Sequence, residues 1–204
     1  PALGGLPDNV LASWQYGFTE MFNNAIDHSE GTQIDLSLER TASATSMNIH
    51  DDGVGIFKKI QRALGLHDER HAVLELAKGR FTTDPRNHSG EGIFFTSRMF
   101  DKFEIMSGGV FFHHEIDEED WALEREDATP GTTVFMMSKN HISRTLKQVF
   151  DAYTTGDDYG FNKTVVPVKL ARYGDDNLIS RSQAKRLVAR IDRFKIVLLD
   201  FASV

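Results

Sequence analysis

The sequence predicts an α+β protein, and three features predict it. A long amphipathic helix opens the chain, from about residue 8 to residue 28. Stretches of alternating polarity follow it in pairs, as antiparallel hairpins do. After a polar linker at 155–160 the pattern restarts in strand–helix–strand order.

Composition bounds the function. The 204 residues, 40% hydrophobic, suffice for one domain of ordinary size or somewhat more, with a real core. A net charge of −7 argues against direct nucleic-acid binding by this chain. There is no cysteine, which excludes disulfides and thiol catalysis and fits a reducing compartment, so a cytoplasmic location is expected. No apolar run reaches membrane-spanning length, and no signal peptide leads the chain. The first residue is Pro rather than Met, which reads as a fragment or processed product.

Residues 1–7 are Gly/Pro-rich and irregular. Asp8 or Asn9 is suited to cap the opening helix, and Gly31 to its left-handed exit. On that helix Trp14, Phe18, Phe22 and Ala25 share one side, and Glu20, Asn24, Asp27 and His28 the other. A solvated face is ordinarily rich in Lys and Glu; a carboxylate, amides and an imidazole within two turns point to a lined site. Residues 33–40 and 45–50 alternate as strands joined through 41–44. Helices are expected over 57–64 and 69–77, and an apolar one over 93–100. Residues 102–107, 110–116 and 132–137 read as strands, with Gly108-Gly109 as a tight hairpin between the first two. A helix at 143–153 precedes the linker. A strand at 163–170, a helix at 181–192 capped by Ser180, and a buried apolar strand at 195–201 complete the chain. That last unit is too short to close a sheet and reads as truncated.

Four places carry candidate chemistry. Asp51-x-Gly53-x-Gly55 follows a strand; its glycines permit a sharp turn and close approach to a ligand, and its Asp can accept a hydrogen bond from an exocyclic amine. The polar loop 78–92 holds Lys78, Arg80, Arg86, Thr82, Thr83 and Ser89 and ends in Gly90-Glu-Gly92 before a helix, where free N–H groups and a positive dipole end suit an anion. His67 and His71 have the i, i+4 spacing of a zinc protease, but Asp68 stands where the general-base Glu belongs. Adjacent His113 and His114 point to opposite faces of a strand, poor partners for one ion, and the acidic run 117–120 reads as a solvated loop rather than a cation cage.

Glu20-x-x-x-Asn24-Ala25, Asp51-x-Gly53-x-Gly55, Gly90-x-Gly92-Ile93 and Gly131-Thr132, in this order, resemble the N, G1 and G2 boxes and the adenine-side strand end of the GHKL (histidine kinase-like) ATPases. His28, four residues after Asn24, resembles the anti-sigma-factor kinase version of the N box. His88 stands where many members have a further glycine, and Arg98 is expected on a surface helix face. The resemblance implies a two-layer α/β sandwich, with a mixed, mostly antiparallel sheet and helices on one face, over residues 8–140. It implies ATP and Mg²⁺ as cofactors, Asn24 as the Mg²⁺ ligand and Glu20 as the catalytic base. Asp51, Gly53, Gly55, Thr83, Ser89, Gly90, Gly92, Ile93 and Thr132 join Asn24 around the nucleotide. Residues 141–160 then form a helix and linker, and 161–204 resemble the start of a STAS-like domain.

The function expected is an ATP–Mg²⁺-binding regulatory module, acting as a protein serine kinase or ATPase in partner-switching signalling of the bacterial kind, with a regulatory protein partner and room for a homodimer. A non-catalytic, ATP-responsive switch is the alternative, and a zinc hydrolase built on His67 and His71 a minor one.

Overall fold

The computed structural model describes residues 3–81, 90–155, 160–171 and 180–202. Its elements in chain order are α1 (Asp8–His28), β1 (Ile34–Arg40), β2 (Ala44–Asp51), α2 (Ile56–Leu64), α3 (Arg70–Lys78), α4 (Gly92–Met99), β3 (Lys102–Glu115), β4 (Trp121–Lys139), α5 (Leu146–Tyr153), β5 (Lys163–Pro167), α6 (Arg181–Val188) and β6 (Ile196–Asp200). Four strands form an antiparallel sheet in the order β1-β2-β4-β3, and β5 pairs with β6 in parallel. The protein is thus α+β. Met47, Ile49, Phe103, Ile105, Val134 and Met136 alternate along their strands and are buried together with the apolar faces of α1–α4.

β3 is not straight. A 14-residue strand would span roughly 46 Å, yet the Ile116 amide donates to the Asp101 carbonyl at 3.0 Å. Glu104 likewise lies beside His113, at 3.0 Å. The strand therefore doubles back at Gly108-Gly109, where Gly108 takes φ +56°. Its first half pairs with the later part of β4 and its second half with the beginning of β4. That opening part of β4, residues 121–131, was not expected as strand; its acidic, Pro-containing sequence, Glu-Arg-Glu-Asp-Ala-Thr-Pro, lacks apolar alternation.

Several local expectations are corrected. The buried stripe of α1 is Val10, Trp14, Gly17, Met21 and Ala25; Phe18 and Phe22 flank it, stacked on each other at 5.2 Å. Gly17 belongs in the stripe because the Phe100 ring presses there, 2.4 Å from where a Cβ would stand. No side chain caps α1; Asn9 donates instead to the carbonyls of Ile142 and Arg144. The left-handed residue after α1 is Glu30, at φ 61°, rather than Gly31. The strand expected to run to residue 170 ends at Pro167 and closes in a 3-10 turn, and α6 stops at Val188. β6, expected to be buried, leaves Ile196, Leu198, Leu199 and the following Phe201 exposed, because it is an edge strand with a single neighbour among the described residues.

The acidic run and Arg98 are also corrected. Asp120 is 5% exposed and accepts from Arg98 Nη2 at 2.9 Å and pairs with the His114 ring. The Arg98 guanidinium sits 5.2 Å above the Phe94 ring, so it is an interior group. His113 and His114 are both buried, although strand alternation sends them to opposite faces.

Residues 161–171 and 180–200 pack directly on the four-stranded sheet's helices. Phe161 meets Phe94 at 4.6 Å and Phe95 at 4.9 Å, and the Thr164 hydroxyl donates to the Lys78 carbonyl. Lys78 is 2% exposed; its Nζ donates to Glu75 Oε1 and to the carbonyls of Arg186 and Ala189. The end of α3 is therefore joined to α6 through a buried, fully hydrogen-bonded ammonium.

Candidate functional site: one cavity between α1, β2, α2 and α4

The hydrogen-bonded register of β2 and β4 places Asp51 opposite Thr132. Asp51 is the last residue of β2, and its Oδ1 accepts from the Gly53 amide at 3.0 Å, which closes the turn after the strand. The Thr132 hydroxyl accepts from the Ile56 amide at 3.0 Å, so β4 anchors the first turn of α2. Gly131, at φ +72°, lets β4 cross closely over β2: a Cβ there would lie 1.7 Å from the Asp51 carbonyl oxygen. Burial pushes the Asp51 carboxyl above its ordinary value, against hydrogen bonds from the Gly53 and Thr132 backbone. A carboxyl so placed accepts a donor strongly and is costly to leave unmet.

The polar face of α1 forms the facing wall. Glu20, Asn24 and His28, one turn apart, border the same cavity of about 260 Å³ as Asp51, Gly55 and Thr132. That size is close to the low end of small-molecule clefts, about 300–1,000 Å³. Its floor is apolar, with Ile49, Ile60, Ile105 and Val134 among its lining. Gly90, Gly92 and Ile93 border the cavity at the start of α4. Glu20 lies against that helix start, its Oε2 1.9 Å from where a Cβ on Gly92 would stand. Glu91 is raised by burial and further by Glu20, with Arg80, 3.7 Å away, opposing. Tyr16 is raised too, by burial first and then by Glu20 and Glu91. Two carboxyl groups, Glu20 and Glu91, thus meet at the start of α4 with Arg80 beside them.

Of the site residues expected from the sequence, Glu20, Asn24, Asp51, Gly55, Gly90, Gly92, Ile93 and Thr132 border one cavity. Gly53 does not line it; it packs on the end of α1, where a Cβ would stand 2.1 Å from the Ser29 carbonyl oxygen and where the Val54 amide donates to that oxygen. Thr83 and Ser89, like Thr82, Arg86 and His88, lie outside the described residues. Asp27 is exposed and does not line the cavity. Sequence reasoning missed Lys59 and Phe81, both in the lining. Lys59 donates to the His28 carbonyl and pairs with Glu30 at 2.9 Å. Its place one turn into the helix that follows Asp-x-Gly-x-Gly was the available signal.

His67 and His71 do not share a helix face. α3 starts at Arg70, leaving His67 outside it and exposed, and both rings flank Asp68, at 3.7 and 3.6 Å. Burial lowers the His71 imidazole below its ordinary value.

The model of the histidine kinase-like ATPase domain matches residues 2–110, more than half of the 204. The chain belongs to that family. Its sandwich is therefore an ATP-binding module of the GHKL type, and the antiparallel sheet with helices packed on it agrees. Comparison with curated proteins gives no match. No described helix is long and apolar enough to cross a membrane.

Proposed function

We propose that the chain holds ATP with Mg²⁺ in this cavity and serves as a regulatory protein kinase or ATPase of the partner-switching kind. One observation carries the reading: Asn24 and Glu20 stand on one wall and Asp51 and Thr132 on the other wall of a single cavity with an apolar floor. Asp51 takes the adenine amine, Thr132 supports the turn beside it, and the apolar floor receives the ring. The start of α4 at Gly90-Glu-Gly92 offers amide donors to the phosphates. The donor set fits a hard cation: a neutral amide oxygen at Asn24, one turn from the Glu20 carboxylate. When bound, Mg²⁺ would supply charge neutralisation at the phosphates. Glu20 orients or deprotonates the attacking water or acceptor hydroxyl. Residues 161–204, with their parallel β5–β6 pair, act as a STAS-like unit that presents the module to a regulatory protein partner.

Calorimetric titration of the whole chain with Mg-ATP tests the reading; absence of binding by folded protein refutes it. Glu20→Gln separates catalyst from switch. The catalyst loses turnover and phosphotransfer while keeping affinity. A wild type without either activity, unchanged by the substitution, makes the chain a switch that uses ATP only as a ligand.

A further inference from the structure

Away from the nucleotide cavity, His113, Glu115 and Glu118 bring one nitrogen and two carboxylate oxygens within 4.8 Å of one another. The geometry points to a second cation site here, for a divalent first-row transition ion such as Zn²⁺. His113 and Glu115, two apart on β3, lie on one face of the strand. Glu118 reaches them because Asp117 takes φ 68° and the turn folds back, the Glu118 amide donating to the Glu115 carbonyl at 3.1 Å.

The imidazole is set up as a ligand. Its Nδ1 lies 3.0 Å from Glu104 Oε1. A carboxylate only accepts, so Nδ1 donates to Glu104, which leaves Nε2 as the ring atom that can face an ion. Glu104 is itself held by Lys102 at 2.8 Å. This is the carboxylate–histidine arrangement that orients a metal-binding ring. Nε2 faces Glu115 Oε2 at 3.5 Å. That is longer than the usual N–H···O hydrogen bond. It matches the edge of a tetrahedron, about 3.4 Å, around an ion bound at about 2.1 Å. The ring is 5% exposed and stacked on Trp121 at 4.8 Å, so its direction is fixed. Among the described residues Glu118 has no ion pair, and its exposed side chain is free to close the remaining distance.

The test is Zn²⁺ titration of the full, nucleotide-free chain, with Co²⁺ as a spectroscopic stand-in. Wild type binds one Zn²⁺ per chain at this site. Glu118→Gln, at an exposed position, weakens it at least about tenfold, as does His113→Gln. Glu104→Gln weakens it about 10–100-fold without removing a ligand. Co²⁺ quenches tryptophan fluorescence, and Trp121→Phe removes the quenching because the remaining Trp14 is in the core. The proposal is overturned if wild type binds no Zn²⁺, if Glu118→Gln and His113→Gln bind it as wild type does, or if replacing His67 and His71 abolishes it instead.

Discussion

Asp51 is where a single atom decides most. It is half of a strand-end pair with Thr132, is held by the Gly53 amide, and is raised by its burial. Asp51→Asn should weaken ATP binding by about 1–3 kcal/mol, the scale of an unmet buried polar group. Calorimetry that finds the affinity unchanged moves adenine elsewhere. Asn24→Ala should damage Mg²⁺-dependent binding more than metal-free nucleotide binding; equal losses would remove Asn24 as the cation ligand. That these two residues border one cavity was legible in the sequence, because motif spacing does not depend on knowledge of packing. Gly53 was legible as a glycine but not in its purpose, since what crowds it is a carbonyl from a helix 24 residues earlier. Arg98 was misread for a related reason. A charged residue on a short helix ordinarily points to solvent, and only the fold shows Asp120 arriving opposite it.

Elements repeat the lesson. Strands with apolar alternation, such as β1 and β2, were legible to within a residue or two at each end. The opening part of β4 was not, because cross-strand pairing imposes its extended shape without a hydrophobic pattern. The hairpin at Gly108-Gly109 was legible because two glycines between alternating runs specify a tight reversal. α5 begins with a reciprocal capping box between Thr145 and Gln148. Thr145→Ala should cost about 1 kcal/mol, read as a lowered midpoint in urea. The buried pair between α4 and the start of β4 is worth more. Asp120→Asn leaves the Arg98 guanidinium interior without its counter-charge, and a loss of about 3–5 kcal/mol is expected in the same measurement.

For the whole molecule, acid is the informative perturbant. Burial alone would raise Asp120, but Arg98 and His114 outweigh it and bring the carboxyl down to about 2 from 3.8. Its stabilisation is therefore present above 3.8 and lost as pH falls toward 2. Burial, with Arg98 adding, lowers His114, and burial lowers His71; their contribution is full above the ordinary value of 6.5 and lost as pH falls through their folded values. Asp51 and Glu91, both raised by burial, act in the opposite sense, favouring the fold below their ordinary values of 3.8 and 4.5. Thermal unfolding followed across pH should show the midpoint falling below pH 6.5, with a further fall below 3.8 that Asp120→Asn removes. A Tm flat through both ranges contradicts the assignment. The division at residue 140 drawn from the sequence also meets a physical test. Phe94 and Phe95 pack on Phe161 and Tyr153. A fragment ending at Asn140 should therefore show a lowered Tm or poor solubility.

Arg80 stands between two worlds. Its guanidinium donates to the Arg193 carbonyl, and its own carbonyl accepts from Arg193 and Arg190. The next residue, Phe81, lines the cavity proposed to hold the nucleotide. A nucleotide that binds better when this joint is closed tightens the joint by the same factor, since coupling between sites is reciprocal. Amide exchange at Phe194, whose N–H closes the turn with Ile191, should slow when nucleotide is added, a change far from any phosphate.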